Sequence, residues 1–260
     1  MNNFSVFLGK EFMENKRAKR FFVLACVFLF FAFSSPVMAR YMSEVLAFLL
    51  GADPALDGMV AAFGEPHWVD SYLQFYGNII QIGVMTIILL FMGCVLREKQ
   101  RNTADLIFTK GLTPAQFIAA KFIMASLGII IIFFISILIN YIYTLILFGE
   151  AGRIIDILLG GAVSIVFLIM MLAFVIFCST IAKSTGIVAV LGFLGFIAIA
   201  AISALPRIGQ WLPGNLTPNA ALLLSMGQTP ENLLWNLIIA IAMTAGFLLL
   251  SVQILKKQEL

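Results

Sequence analysis

Charged side chains are scarce in this 260-residue sequence: Asp, Glu, Lys and Arg make up 11% of it, whereas apolar residues make up 62%. An ordinary soluble domain has about 25% charged residues. A chain of this length cannot keep so many apolar side chains away from water in one or two soluble domains. The scarcity of charge therefore excludes a soluble protein and indicates a helical membrane protein.

Histidine and cysteine are also rare. The single histidine, His67, has no partners at metal-binding spacing, so we expect it to be a solvated loop residue. The three cysteines, Cys26, Cys94 and Cys178, all lie within apolar runs, and no structural disulfide is expected. The sequence predicts no metal site, no catalytic residue and no cofactor.

The apolar runs contain no Asp, Glu, Lys, Arg or His in their central parts. Proton-coupled transporters usually place ionisable groups there, and an intramembrane hydrolase needs a nucleophile beside a base. Polar residues that do occur are Asn78, Gln81 and Asn140. They either form hydrogen bonds between helices or line a substrate pathway, and the sequence leaves both interpretations open.

A phosphate-binding loop of the form G-x-x-x-x-G-K-[ST] is absent. The longest segment between spans on the side of the chain termini has about 20 residues, too few for a nucleotide-binding domain. If ATP drives this protein, the ATPase must be a separate chain.

Six apolar runs are long enough to cross about 30 Å of hydrocarbon, which takes about 20 helical residues. The sequence therefore predicts an all-α polytopic membrane protein with one transmembrane domain, 1–260. The predicted spans are 21–42, 72–96, 117–148, 157–182, 186–205 and 233–255. A kink or an early helix end is expected at Pro36 in the first span.

Residues 1–20 have the pattern of an amphipathic helix. Phe4, Phe7, Leu8 and Phe12 recur at helical spacing, and a basic run at 16–20 follows them. Such a helix is expected to lie in the membrane interface, with its basic run against anionic lipid headgroups.

Lysine and arginine predict the orientation. If both termini lie on one side, that side carries 13 of the 16 basic residues, and Arg40, Arg153 and Arg207 are the exceptions. We therefore expect a multi-pass protein of a plasma membrane, bacterial in type, with both termini and the segment 97–116 in the cytoplasm.

The segment 97–116 predicts a short amphipathic helix at the membrane edge. Ala104, Ile107 and Phe108 share one face, and Asp105 and Thr109 lie on another. A helix pinned between two spans in this way can be pushed by a cytosolic partner.

A second non-spanning segment, 206–232, contains the short apolar stretch 220–226 between helix breakers, together with Trp211. It predicts a re-entrant helix in the outer leaflet. This helix either covers the outer mouth of a substrate path at a dimer interface or only caps the sixth span.

Residues 72–121 resemble permease subunits of ABC-type exporters of the second permease class. Glu98, Thr103, Leu106 and Lys121 hold places that match the family pattern, whereas Asn102 stands where the family usually has glycine. The resemblance implies a permease that pairs with a cytosolic ABC ATPase and with a second copy of itself or a related permease. No nucleic-acid partner is expected.

The resemblance also implies that the helix 98–109 is a coupling helix that docks on the ATPase. The residues expected to couple to the ATPase are Arg97, Glu98, Lys99, Arg101, Thr103, Asp105 and Thr109.

Two functions stay open. One is the permease of an ATP-driven exporter for an amphipathic or hydrophobic substrate of the peptide or antibiotic type. The other is a membrane scaffold or sensor subunit of an ABC-type complex that transports nothing. A membrane-embedded enzyme is a distant third possibility, and ATP hydrolysis is expected in the partner.

Overall fold

The computed structural model describes residues 3–50, 66–101, 103, 108–109, 111–205, 209–220 and 232–258. Within these ranges the chain is helical and contains no strand. Six helices or helix assemblies are long and apolar enough to cross a membrane. The prediction of an all-α polytopic membrane protein with six spans is confirmed.

The helices follow one another in chain order with short connections. They are α1 (Asn3–Arg17), α2 (Arg20–Leu50), α3 (Trp68–Asn78), a π-helical turn (Ile79–Gly83), α4 (Val84–Phe91), α5 (Leu96–Gln100), α6 (Pro114–Phe148), α7 (Ile154–Ile181), α8 (Thr185–Ser203) and α9 (Leu233–Gln258). The second span is the assembly Trp68–Gln100, which comprises α3, the π-helical turn, α4 and α5.

Helix α2 passes through Pro36 without ending there. Proline at position 36 has no N–H, so it cannot bond the carbonyl oxygen of Ala32 one turn earlier. The side-chain amide of Asn140 on α6 donates to that oxygen at 3.1 Å. A neighbouring helix thus supplies the missing donor, which is how membrane helices tolerate an internal proline.

The second span is interrupted at 92–95, where the helix opens into turns between α4 and α5. The hydroxyl of Ser179 on α7 lies at this break. Its oxygen accepts from the backbone N–H groups of Val95 (3.2 Å) and Leu96 (3.1 Å) and donates to the carbonyl of Met92 (3.0 Å). One serine therefore satisfies the backbone groups that the interruption leaves free.

Capping residues set two helix starts earlier than the apolar runs predict. The side chain of Thr113 accepts from the N–H of Gln116, and Pro114 occupies the first turn, so α6 begins at Pro114. His67 caps α3 in the same way together with Asp70. The lone histidine is thus a helix cap.

Helix α6 has 35 residues and is about 52 Å long, so it exceeds the hydrocarbon thickness of about 30 Å and extends beyond it. It ends at Gly149, whose positive φ of 75° closes the helix in the left-handed conformation that glycine adopts readily.

The core lies between α2, the second span, α6 and α7. Tyr72 and Tyr76 are buried there, and their hydroxyls donate to the carbonyls of Ala151 (3.0 Å) and Ile157 (2.7 Å). Helix α7 is the most buried span, whereas few side chains of α8 and α9 are buried. Apolar exposure of this kind is expected where helices face lipid.

The segment between α8 and α9 is described at 209–220. It forms two short 3₁₀ turns, Gly209–Trp211 and Pro213–Asn215, that pack on both helices. A Cβ at Gly209 would lie 2.1 Å from the carbonyl oxygen of Ser203, so this close approach requires glycine. Most of the predicted re-entrant helix, 220–226, lies outside the described residues.

Candidate functional site

Helix α1 packs against the start of α6 through one aromatic contact. The Phe7 and Phe117 rings stack with their centroids 5.6 Å apart, and both side chains are buried. Phe4 and Leu8 are partly buried against the same core, whereas Phe12 is exposed. Most of the apolar stripe therefore contacts the protein's own helix bundle.

Next to this contact lies a set of five charged side chains, the ionic cluster: Lys10, Glu11, Glu14, Glu98 and Lys121. The Lys121 Nζ atom lies 2.9 Å from Glu11 Oε1 and 3.2 Å from Glu98 Oε2. Lys10 pairs with Glu98, with Glu11 (3.3 Å) and with Glu14 (3.2 Å). The cluster joins three elements that are distant in sequence: α1, α5 and α6.

The centre of the cluster is shielded from water. The exposed fractions of Lys121, Glu11 and Glu98 are 3%, 2% and 7%. The Lys121 ammonium also lies 4.8 Å from the Phe117 ring centroid. A buried charge requires partners of opposite sign, and removal of one partner strongly destabilises what remains. The cluster therefore holds α1 and α5 against α6.

The charges of the cluster also shift two pKa values on α1. Burial lowers the pKa of Lys10, but the surrounding Glu98, Glu11 and Glu14 outweigh it, and the pKa rises above its ordinary value. Burial raises the pKa of Glu14, but Lys121 and Lys10 outweigh it, and the net pKa falls below its ordinary value. Both groups are thus more firmly charged in the fold than in water.

Three carboxylates of the cluster, from Glu11, Glu14 and Glu98, lie within 4.8 Å of one another. Acidic groups at such distances can hold a metal ion. Here the ammonium groups of Lys10 and Lys121 contact all three carboxylates and offset two of their three negative charges. The arrangement is therefore an ion-pair network.

The end of the second span is also hydrogen-bonded to α7 and to the turn that follows it. The Lys99 Nζ donates to the carbonyl of Thr180 at 2.9 Å, and the Gln100 amide donates to the carbonyl of Lys183 at 3.0 Å. Together with Ser179 at the helix break, these bonds connect α5 to α7 as the cluster connects it to α1 and α6.

The structure separates the predicted coupling residues by the exposure of their side chains. Glu98, Lys99 and Thr103 bond within the chain; the Thr103 hydroxyl donates to the Glu98 carbonyl at 3.1 Å. Arg97, Arg101 and Thr109 are exposed. Asp105, like most of the predicted helix 98–109, lies outside the described residues.

The predicted pathway residues also differ in their surroundings. Asn140 is buried, and its side-chain amide donates to the Ala32 carbonyl. The Asn78 amide donates to the Ser35 hydroxyl at a long 3.4 Å. Gln81 lies in the π-helical turn and is exposed. The first two make bonds between helices, and Gln81 is the one of the three that faces outwards.

Sequence reasoning missed the α1 half of the cluster and the role of Ser179. One signal was present: Glu98 is a single acid inside a basic stretch, and Lys10, Glu11 and Glu14 are spaced along one helix near Phe7. No sequence pattern pairs Ser179 with a helix break 87 residues away, because that contact depends on how the spans pack.

Comparison with known proteins defines the class. Residues 60–252 match the family model described as ABC-2 family transporter protein. The match covers most of the chain, and the chain therefore belongs to the ABC-2 family of membrane transporters, whose permeases work with an ATP-binding subunit.

A curated relative is similar along nearly the whole length. It is the "Uncharacterized transmembrane protein YxlG" of Bacillus subtilis (strain 168), which is 24% identical over 239 residues, 90% of each chain. The family assignment confirms the resemblance seen in residues 72–121.

Proposed function

We propose that this chain is the membrane-spanning permease of an ATP-driven exporter and that the segment 98–109 receives the movement of a separate cytosolic ATPase. The family assignment supports a permease with an ATP-binding partner. The observation that carries the coupling proposal is the double attachment of α5, through Glu98 to α1 and α6 and through Lys99, Gln100 and Ser179 to α7.

This attachment has a mechanical consequence. A push on a loose loop would be absorbed by the loop. A push on α5 is transmitted to the long helices α6 and α7, because the buried ion pairs and the hydrogen bonds between side chains and backbone resist displacement. The spans then move as rigid bodies. Asp105 and Thr109 would contact the ATPase, whereas Glu98, Lys99 and Thr103 hold the segment from within.

The orientation follows from the positive-inside rule. The end that carries α1, α5 and the start of α6 faces the cytoplasm, and the end with the α6–α7 connection faces outwards. Transport is outward. The absence of ionisable groups from the centres of the spans suits an amphipathic or hydrophobic substrate of the peptide or antibiotic type.

The permease would function as a dimer with a second copy or a related permease. Gln81 supports this proposal: an exposed amide within the second span has an unfavourable environment in lipid, and a facing polar group of another subunit would satisfy it. The π-helical turn that presents it is of a kind found frequently at functional sites.

The test uses the permease co-purified with its ATPase and reconstituted in nanodiscs. We expect a panel of amphipathic peptides to stimulate ATP hydrolysis. The variant Glu98→Gln with Lys121→Met removes two opposite charges, and we expect it to retain the ATPase but to lower stimulated hydrolysis by about threefold to thirtyfold, the scale of such coupling changes. The control is Arg153→Gln with Asp156→Asn, an exposed ion pair at the other end.

Each alternative result is informative. Unchanged stimulation in the Glu98/Lys121 variant would show that the cluster does not transmit movement. An ATPase that binds but responds to no substrate would favour the scaffold or sensor function. If no ATPase co-purifies, the exporter proposal fails.

A further inference from the structure

A basic cavity of about 830 Å³ lies between α1, the start of α2 and the end of the second span. Its volume is within the range of about 300–1,000 Å³ typical of sites for small molecules. Five cationic residues line it, against two acidic ones. These are Lys10, Arg17, Arg20, Arg97 and Arg101, with Glu14 and Glu98.

The charges in the cavity do not balance. Glu14 and Glu98 both pair with Lys10, and the ionic cluster as a whole, two lysines and three glutamates, has a net charge of −1 against the four positive charges of the arginines. In the part of the chain that the structure describes, none of the four arginines has a carboxylate partner. Arg20 is only 6% exposed, and its guanidinium donates to the Asn15 side-chain oxygen (2.7 Å) and lies 5.7 Å from the Phe91 ring centroid.

Glu14 is close enough to Arg20 to offset part of its charge, but four arginines around one cavity leave it strongly basic and therefore suited to an anion. Arginine presents a planar fork of donors that matches the oxygens of a phosphate, and several arginines around one cavity suit a phosphate better than a single carboxylate. The position of the cavity along the spans indicates whether the phosphate belongs to a lipid or to a soluble anion. Arg20 is the first residue of the first span, and Arg97 follows the apolar part of the second, so the cavity lies at the depth of the lipid headgroups.

Exposed apolar side chains occur close to the cavity residues in sequence. Met13 lines the cavity and is exposed, and Phe12 and Phe22, within two residues of Met13 and Arg20, are exposed as well. Acyl chains can lie against these side chains while the headgroup enters the cavity. A free phosphate in solution would use the arginines but not this apolar surface.

We propose that this cavity binds the phosphate headgroup of an anionic phospholipid, with Arg17, Arg20, Arg97 and Arg101 as its ligands. The proposal does not depend on export or on the ATPase. A lipid bound here bridges α1, α2 and α5, and it would be a structural component of the cytoplasmic end of the bundle.

The experiment measures lipid retention by native mass spectrometry of the purified full chain in detergent, titrated with phosphatidylglycerol or phosphatidylcholine. We expect one phosphatidylglycerol to bind more tightly than phosphatidylcholine. The variant Arg17→Gln with Arg101→Gln should weaken phosphatidylglycerol binding by about tenfold or more, since each cation contributes substantially to an anionic headgroup. Circular dichroism verifies that the variant is folded.

The control variant is Lys16→Gln with Lys19→Gln, which removes the same charge from exposed residues of the same segment that do not line the cavity. We expect it to change the affinity by less than about twofold. Equal weakening by both variants would show general surface attraction and overturn the proposal, as would equal binding of the two lipids.

Two further measurements would show that the cavity binds a different ligand. If inorganic phosphate displaces phosphatidylglycerol completely at millimolar concentration, the site is one for a soluble anion and the lipid proposal is wrong. If the Arg17/Arg101 variant binds phosphatidylglycerol normally but loses the co-purified ATPase, the arginines belong to the protein interface. Since lipid binding is measured without the ATPase, failure of this proposal leaves the exporter proposal untouched.

Discussion

At the scale of single residues, polar groups inside the spans serve the backbone. Pro36 leaves the Ala32 carbonyl without its helical donor, and Asn140 supplies one from a neighbouring helix. Ser179 does the same for three backbone groups at the break in the second span. In a hydrocarbon environment water cannot replace these partners, so each such bond determines where two helices meet.

The Pro36–Asn140 relationship can be tested by a double-mutant cycle. Asn140→Ala should lower the free energy of unfolding by about 1 kcal/mol, a moderate value since the Asn140 side-chain oxygen has no partner in the described structure. In a Pro36→Ala background the N–H at position 36 bonds the Ala32 carbonyl itself, so the same substitution should cost less than about 0.5 kcal/mol. Denaturation in mixed micelles measures both values.

An equal loss in the two backgrounds would contradict this account and assign Asn140 another role, such as lining a pathway. The variant Asn140→Ser provides a control for side-chain polarity. It keeps a hydroxyl at position 140, but this shorter side chain does not reach the Ala32 carbonyl in the same geometry.

At the scale of elements, α1 is attached to the bundle by charge as well as by its apolar side chains. Its polar side chains Lys10, Glu11 and Glu14 join the ionic cluster, and Phe7 stacks beside them on Phe117. The stability of a helix attached in this way depends on pH. The pKa shifts of Glu14 and Lys10 determine whether a change in pH strengthens or weakens the attachment.

The shift of Glu14 predicts loosening of α1 in acid. Because its pKa is lowered in the fold, the stabilisation from Glu14 is complete above the ordinary value of 4.5 and is lost as the pH falls through the lowered pKa. The pKa of Lys10 is raised by the glutamates around it, so its contribution is complete below the ordinary value of 10.5 for as long as the glutamates stay charged, which includes neutral pH. Hydrogen exchange, corrected for intrinsic rates, should show falling protection of α1 below pH 4.5.

The variant Glu14→Gln supplies the comparison. It removes the titrating group, so the protection of α1 should start lower at neutral pH and decline less as the pH falls below 4.5. Identical pH profiles for the variant and the wild type would exclude Glu14 as the responsible group.

At the scale of the whole molecule, the charged ends of the bundle predict its orientation. Thr109 and Arg153 are both exposed, and they lie on connections at opposite ends of the spans. In a protein whose native cysteines are replaced by alanine, Arg153→Cys should react with an impermeant thiol reagent added to intact cells. Thr109→Cys should react only after the cells are permeabilised. The reverse pattern would invert the proposed orientation and the direction of transport.

The long apolar runs were sufficient to predict six spans and an all-α fold, and the lysine and arginine positions predict the orientation. The physical reason is general: a segment in hydrocarbon must bond its own backbone and hide its charges, so spans are visible in the sequence as long uncharged runs. The residues 72–121 were likewise sufficient for the family resemblance. The sequence also showed that Glu98 is a lone acid in a basic stretch, but it did not show which way its side chain faces.

The tertiary structure determined which side chains contact one another. Glu98 turns inwards because Lys10 and Lys121, 88 residues before it and 23 after it, arrive at the same place when α1 packs on α6. Helix α2 continues through Pro36 because the Asn140 amide lies beside the Ala32 carbonyl that the proline leaves without a donor. The four arginines line one cavity only because α1, the start of α2 and the end of the second span pack together. Such contacts depend on how the helices pack and not on local periodicity, so local sequence patterns determine the spans and the fold determines the site.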